Sequence, residues 1–442
     1  MSDRRKVLRP FEENREYMEE RIQTGIELYR KGFADLSIVD KDGNPVENVQ
    51  VELRQTKHDF LYGANIFMLD ELPTEEANQN YKDRYAEIFN EATIPFYWRD
   101  NEPEQGKPRY DKDSPKIYRR PAIDLCLEYC EERGITPKAH CLNYQQWGTP
   151  KWLPDDVTQE KFYLEKRFRE LSERYAHRIH GWEVTNETLF LPSESTTAFF
   201  EEPDLVNWSF KTAERYFPMN ELIINDAHCN IWNVFNGARS NYYLQIKDEL
   251  AMGSRIDTIG MQFHMFYPRE DELKETASFY DPRRIYNLLD RYADFGKPIQ
   301  ITESTIPAYS YEPEDEAIQA EIIDYLYSMW FSHPNVEAII YWNLIDGYAA
   351  SAPRGDMTSG ENYYHGGLLR YDGSPKPAFY KIKKLFGERW RTNLSLKSDS
   401  GSLKFKGFYG EYDVAVTVNG KTTHHTLHLG QKAFNNFRLV VE

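Results

Sequence analysis

The chain has 442 residues, more than one ordinary domain needs and enough for a barrel of ~250 residues with smaller modules attached. With 40% hydrophobic and 28% charged residues it can bury a core and stay soluble. Its formal charge of -17 excludes nucleic acid and anionic membrane as partners and fits a neutral ligand. The 15% aromatic content serves barrel cores and sugar platforms alike, so it does not choose between them.

The N-terminus carries basic residues with no apolar stretch after them, and no run of ~18 apolar residues occurs anywhere, so the expected location is the cytoplasm. Residues 11–32 read as a polar amphipathic helix. Segments 36–39 and 49–53 read as a hairpin, because Asp40-Lys41-Asp42-Gly43-Asn44-Pro45 between them is turn chemistry. From about Phe60 short apolar strands alternate with longer helical stretches, the signature of βα units. The strand candidates are 60–67, 94–98, 136–144, 180–187, 221–226, 256–264, 298–303 and 337–343. Eight such strands make a (β/α)8 TIM barrel of the α/β class, and this count also draws on the resemblance described below. The stripe Ile318, Ile322, Leu326, Met329 and Trp330 at 317–331 is core packing.

Cys126 and Cys130 lie one helical turn apart, and with Cys141 and Cys229 they suit reduced thiols better than a disulfide framework. After 381–386 the helical period stops, and strands are expected at 403–405, 412–418 and 426–429, with Asn419-Gly420 as a hairpin turn. His424, His425 and His428 alternate with Thr and Leu as an exposed strand face does, so they are not read as a metal site. Fifty residues are marginal for a core of their own, so this segment is expected to share a small β-layer with the N-terminal hairpin. The domains are therefore an N-terminal helix and hairpin (1–59), the barrel (60–388) and a small C-terminal β-domain (389–442).

Two carboxylates stand out. One strand ends Gly181-Trp182-Glu183-Val184-Thr185-Asn186-Glu187 and another ends Pro298-Ile299-Gln300-Ile301-Thr302-Glu303. The C-terminal strand ends of a barrel build its active site, so Glu187 and Glu303 should face one pocket. Glycoside hydrolysis needs such a pair: one carboxyl protonates the leaving oxygen while the other attacks or stabilises the anomeric carbon. Asn186 beside the first could hydrogen-bond a sugar hydroxyl. The competing reading is a pair of ordinary surface glutamates, which the apolar residues before each one oppose. The Asn186-Glu187-Thr188 glycosylation pattern is short enough to arise by chance.

In this setting a set of segments resembles glycoside hydrolase family 10, the xylanase family. The stretch Trp182 to Glu187 resembles its Trp-Asp-Val-Val-Asn-Glu, and Ile301-Thr302-Glu303 its nucleophile strand. Gly260-Met261-Gln262-Phe263-His264 resembles its Gly-x-Gln-x-His, and Asn225-Asp226 its strand-5 end. Tyr341-Trp342-Asn343-Leu344-Ile345-Asp346, the stretch from Gly367 to Phe379, and His140-Cys141-Leu142 match further motifs in family order. The resemblance implies a retaining barrel glycosidase with Glu187 as acid/base and Glu303 as nucleophile. It further implies that His264 and Gln262 position Glu303, that Trp342 floors the reactive sugar, and that His140, Tyr144, Gln145 and Asn186 meet substrate. No metal and no organic cofactor is implied, and the partner is a carbohydrate.

The departures weaken xylan specificity. Ile94-Pro95-Phe96-Tyr97 stands where the family keeps an Asn and a Lys that grip the glycone, Tyr144 and Gln145 replace a Trp and a His, and Ala349-Ala350 replaces a Ser-Trp. The expected substrates are therefore short xylo-oligosaccharides or small β-glycosides. The rival readings are an endo-β-1,4-xylanase acting on polymer and a non-catalytic sugar-binding barrel.

Overall fold

The computed structural model describes residues 3–441. Its centre is a closed barrel of eight parallel strands: β3 (Leu61–Asn65), β4 (Glu91–Pro95), β5 (Thr136–Asn143), β6 (Gly181–Asn186), β7 (Glu221–Asp226), β8 (Thr258–His264), β9 (Ile299–Thr305) and β10 (Val336–Tyr341). Each strand pairs with the next, and β10 pairs with β3 to close the ring. Strands buried on both faces read as apolar runs, which is why most were visible. The second is displaced from the expected 94–98, since β4 begins at a buried charge, Glu91, and Trp98 already opens a short helix, Trp98–Asn101. Helix starts follow capping chemistry: Thr74, Asp156 and Asp281 each accept a backbone N–H from their own first turn. The stripe expected at 317–331 lies buried in the helix Pro313–Ser332. Cys126, Cys130 and Cys141 are free and buried. No helix among the described residues is long and apolar enough to cross a membrane.

A second core lies between two small sheets. One has the order β12-β1-β15 and the other β11-β2-β13-β14, where β1 is Lys31–Val39, β2 Val49–His58, β11 Asn393–Ser398, β12 Ser402–Phe408, β13 Gly410–Val418, β14 Lys421–Leu429 and β15 Asn436–Val440. This corrects the expected hairpin at 36–39 and 49–53. The turn forms, with Gly43 N–H donating to Asp40 O and a single bridge between Val39 and Pro45. Beyond it β1 and β2 enter facing sheets rather than one ladder. Both carry an apolar residue at every second position, and facing sheets bury Ala34, Leu36 and Ile38 against Val49, Val51 and Leu53. The Asn419-Gly420 turn joins β13 to β14, both residues at positive φ as a two-residue hairpin requires. Two further C-terminal strands, β11 and β15, were not among those expected, although Leu394 and Leu396 alternate with polar neighbours in the first and Phe437 and Leu439 in the second.

The sandwich meets the barrel at the N-terminal ends of its strands. There His58, Phe60, Phe331, Phe386, Trp390 and Phe408 form one aromatic seam, with Phe331 and Trp390 stacked at 4.1 Å. The helix Arg15–Tyr29 crosses Pro313–Ser332 so closely that a Cβ on Gly25 would sit 2.3 Å from the Ser332 carbonyl oxygen. The next residue, Arg30, donates to the carbonyls of Phe331, His333 and Val336.

The barrel floor is polar. Thr258 Oγ1 hydrogen-bonds with both Glu221 and Glu337, and Gln300 Nε2 donates to Glu337 at 3.0 Å. Burial, reinforced by the Glu221 charge, pushes the Glu337 carboxyl up to about 8. Burial likewise pushes Glu91 to about 8, against the pull of Lys138, and neither Glu91 oxygen has a hydrogen-bond partner. A carboxyl raised on folding keeps a proton that the unfolded chain releases above ~4.3, so its contribution is complete below that pH and is lost as pH rises through 8. Glu91→Gln should therefore flatten the decline in stability between pH 5 and pH 9, gaining of the order of a few kcal/mol over the parent at pH 9. Urea denaturation at the two pH values measures this, and parallel curves for parent and variant would refute it.

Candidate functional site

The C-terminal strand ends open into a cleft of about 1050 Å³. Eight of the nine residues singled out in the sequence line it: His140, Tyr144, Asn186, Glu187, Gln262, His264, Glu303 and Trp342. Gln145 does not. Its Nε2 donates to Asn143 Oδ1 at 3.1 Å and its Oε1 accepts from Thr197 at 2.5 Å, so its amide ties two loops together.

Glu187 directly follows β6 at a φ of 55°, a left-handed backbone uncommon for a side chain of its size. Its N–H donates to Asn225 O, and the next two N–H groups, of Thr188 and Leu189, donate to Asp226 Oδ2 at 3.0 and 3.3 Å. Burial pushes Asp226 up to about 7. These bonds fix the turn that presents the Glu187 carboxylate.

Gln262 Nε2 reaches Glu187 Oε1 at 2.9 Å, Glu303 Oε1 at 3.2 Å and Asn186 Oδ1 at 3.2 Å. The two carboxylate oxygens sharing that nitrogen lie no further apart than 2.9 and 3.2 Å laid end to end. So close an approach of one oxygen pair favours the ~5–5.5 Å carboxyl spacing of retaining enzymes over the ~6.5–9.5 Å of inverting ones. Asn186 Oδ1 also accepts from Asn225 Nδ2 at 2.9 Å, which leaves its amine as the group to offer a ligand.

Glu303 Oε2 lies 3.1 Å from His264 Nε2, and His264 Nδ1 lies 3.0 Å from the Thr305 hydroxyl. Burial lowers His264 to about 4, so the ring is neutral. The consistent tautomer carries its proton on Nε2, donates to Glu303 and accepts from Thr305. Below Glu303, Lys138 Nζ pairs with Glu183 Oε1 at 2.7 Å and His140 Nδ1 holds Glu183 Oε2. Burial alone would raise Glu183, but the Lys138 and His140 charges overcome it and bring the carboxyl down to about 2. Burial would lower His140, but Glu183 reverses that and favours the protonated ring, whose Nδ1 lies 3.9 Å from Glu303 Oε1. The donor atoms of His140, Glu183 and Glu303 fall within 4.8 Å of one another, a spacing that could suit a metal ion. The Lys138 ammonium on Glu183 makes the cluster a poor fit for one, because a divalent cation would face a buried charge of its own sign.

The sequence profile of glycosyl hydrolase family 10 matches residues 70–385. The chain belongs to glycosyl hydrolase family 10. It is 26% identical over 419 residues to an anti-sigma-I factor of Acetivibrio thermocellus, covering 91% of this chain and 47% of that protein. It is 24% identical over 408 residues to endo-1,4-beta-xylanase 2 of Arabidopsis thaliana, covering 89% and 33%. The chain thus spans less than half the length of these curated relatives. Xylanase 10B of Thermotoga petrophila, solved with xylobiose, shares the fold with a TM-score of 0.56 at 22% identity, over 75% of this chain and 95% of that one.

Other residues of this family 10 cleft escaped the sequence reading. Phe67, Tyr97 and Trp147 pack edge to face or tilted beside Trp342, with Phe67–Trp342 at 5.2 Å and Tyr97–Trp147 at 4.7 Å. The Arg120 guanidinium lies 4.1 Å from the Tyr97 ring and 5.3 Å from both Phe67 and Trp147, and pairs with buried Asp100 at 2.9 Å. Arg119 donates to Asn343 Oδ1 at 2.8 Å, and Asn343 donates to Glu361 at 2.8 Å. Tyr97 was visible as a departure; the arginines, more than twenty positions on in a loop, carried no local signal.

Burial pushes the Glu303 carboxyl well up, with the Glu183 and Glu187 charges adding to it and His140 opposing. In the ligand-free protein, glutamate-labelled carbon NMR, assigned with Glu303→Gln, should show this carboxyl titrating above the ordinary ~4.3. Replacing His140 by Gln should move that midpoint further up. A Glu303 midpoint at or below the ordinary value would contradict the assignment of burial as the dominant influence.

Proposed function

We propose that this chain is a retaining β-glycosidase acting on short xylo-oligosaccharides or small β-glycosides. The observation that carries the reading is the single Gln262 amide bridging Glu187 and Glu303, because it draws one oxygen of each carboxyl together, as a nucleophile and an acid/base on one bond must be. Glu303 attacks the anomeric carbon as the bond to the leaving oxygen breaks, and Glu187 delivers its proton to that oxygen. A water then attacks the same carbon, Glu187 takes the proton, and the bond to Glu303 breaks. The His140 ring and the His264 and Gln262 donors favour the ionised Glu303 that attacks and so oppose the burial that favours its proton. Asn186 offers its amine to a sugar hydroxyl, and the Trp342 face suits pyranose C–H groups.

Xylose units are favoured by the xylobiose bound in the Thermotoga petrophila relative and by the xylanase names among the relatives. Chain length is a separate matter, argued from the cleft. Arg120, held by Asp100 and boxed by Phe67, Tyr97 and Trp147, lines the side where β4 and β5 end with a packed aromatic cluster. Such a cluster offers a long chain fewer hydrogen-bond donors than a row of polar side chains would. The xylanase names favour a second reading, endo action on polymer.

Three measurements test the proposal. Glu303→Ala should abolish turnover on every substrate. Glu187→Ala should retain turnover of aryl glycosides with good leaving groups, and azide should then give the β-glycosyl azide; retention-type rescue of the Glu303 variant would reverse the roles. On the parent enzyme, kcat/KM should favour xylobiosides and aryl β-xylosides over soluble xylan by at least about tenfold, the loss of one or two hydrogen bonds. Mid-chain cleavage of polymer at higher efficiency would restore the endo reading.

A further inference from the structure

We infer that Tyr144 is a positioning residue for the proton that Glu187 gives and takes; this rests on the acid/base role proposed above. Tyr144 follows β5 at the cleft wall, and its Oη lies 2.6 Å from Glu187 Oε2. Gln262 Nε2 holds the other oxygen, Oε1, at 2.9 Å. The two oxygens of one carboxyl therefore have partners of different kinds.

An amide N–H only donates, so it favours an oxygen without a proton. A phenol donates or accepts by turning one C–O bond. With Glu187 ionised, Tyr144 donates to Oε2. With Glu187 protonated, the hydrogen belongs on Oε2, since a hydrogen on Oε1 would confront the Gln262 N–H, and the Tyr144 oxygen accepts it. The partner thus serves both protonation states through which a double displacement cycles, with no heavy atom moving. Tyr144 itself neither gains nor loses a proton overall: burial, with the Glu187 charge beside it, pushes the phenol well above its ordinary value.

This also sets a direction. The scissile oxygen has to approach Oε2, next to the phenol, to take the proton as its bond to carbon breaks. In the second half-reaction water approaches from the same side, and its proton returns to Oε2. The other titratable groups that act on Glu187 are Glu303 on β9, His264 on β8, Asp226 at the end of β7, Cys229 beyond it, Tyr97 after β4 and Cys141 on β5. Among the described residues the hydrogen bonds to its carboxylate come from Gln262 and Tyr144.

The test is the pH profile of Tyr144→Phe on an aryl β-xyloside with a poor leaving group. Losing a donor disfavours the ionised carboxylate, so the basic limb of kcat/KM should move up by about one pH unit or more. Deglycosylation, which needs the ionised base, should slow relative to the parent in pre-steady-state bursts. A folded variant, checked by its melting temperature, whose basic limb stays where the parent's is overturns the proposal. Should the variant not fold, parent crystals above and below the limb decide: Tyr144 Oη within 3.5 Å of Oε2 in both supports it, and separation in either sinks it. Absence of turnover in the parent, or a basic limb unchanged in Glu187→Gln, instead removes the underlying role and this inference with it.

Discussion

Two buried carboxylates, Glu183 and Glu303, and the half-buried Glu187 crowd one end of the barrel, and two buried basic groups, Lys138 and His140, make that crowding tolerable. Like charges a few ångströms apart in a dry interior cannot all ionise without compensation. Glu183 is the member whose charge is secured, because Lys138 and His140 both touch it. That charge in turn favours the protonated His140 ring, and the ring stands between Glu183 and Glu303. The remaining two carboxyls are thus left with room for one proton, which the proposed double displacement places on Glu187 while Glu303 attacks. Lys138 touches no cleft residue other than through this chain, yet the charge state of the cleft depends on it.

The same logic explains why the strained turn at Glu187 persists. A non-glycine residue at positive φ costs of the order of 1–3 kcal/mol and survives only where its surroundings over-determine it. Here Asn225 O holds the Glu187 N–H and Asp226 collects the next two, so β7 braces the end of β6. The sandwich and its aromatic seam lie at the opposite ends of the strands. The barrel thus keeps its packing at one face and its strain at the other, the division expected of a fold whose loops carry function.

The sequence made the barrel legible because its strands are apolar runs, with Glu187 one residue beyond β6 and Glu303 near the end of β9. Glu187 and Glu303 needed only that pattern. What hid were features set by partners far along the chain. Glu91 reads as a loop residue, so β4 was placed too late; its burial follows from the neighbouring strands and from nothing local. The turn before Pro45 looks like a hairpin because turn chemistry reports a reversal and not which sheet each strand then joins. Gln145 stands where a ligand-facing imidazole was expected, and only Asn143 and Thr197 reveal that it faces elsewhere.

Arg120 is the clearest case, and it changes what the missing polar grip means. Loss of an Asn and a Lys from β4 suggests a weaker glycone site, one open to solvent where side chains used to reach. Instead Tyr97 and Phe67 fill the space, and an arginine arriving from a distant loop is locked among them by Asp100. Its guanidinium packs against aromatic faces and donates through Nε to Asp100 and through Nη1 to the Arg119 carbonyl, so its position is fixed. Remote contacts with a long substrate ordinarily supply the binding energy that distorts the reacting ring. On the proposed short-substrate reading the cleft collects little of that energy and obtains its transition-state stabilisation around the reacting sugar itself. The dense local network of Gln262, His264, His140 and Tyr144 on the two carboxylates is the arrangement such a cleft requires.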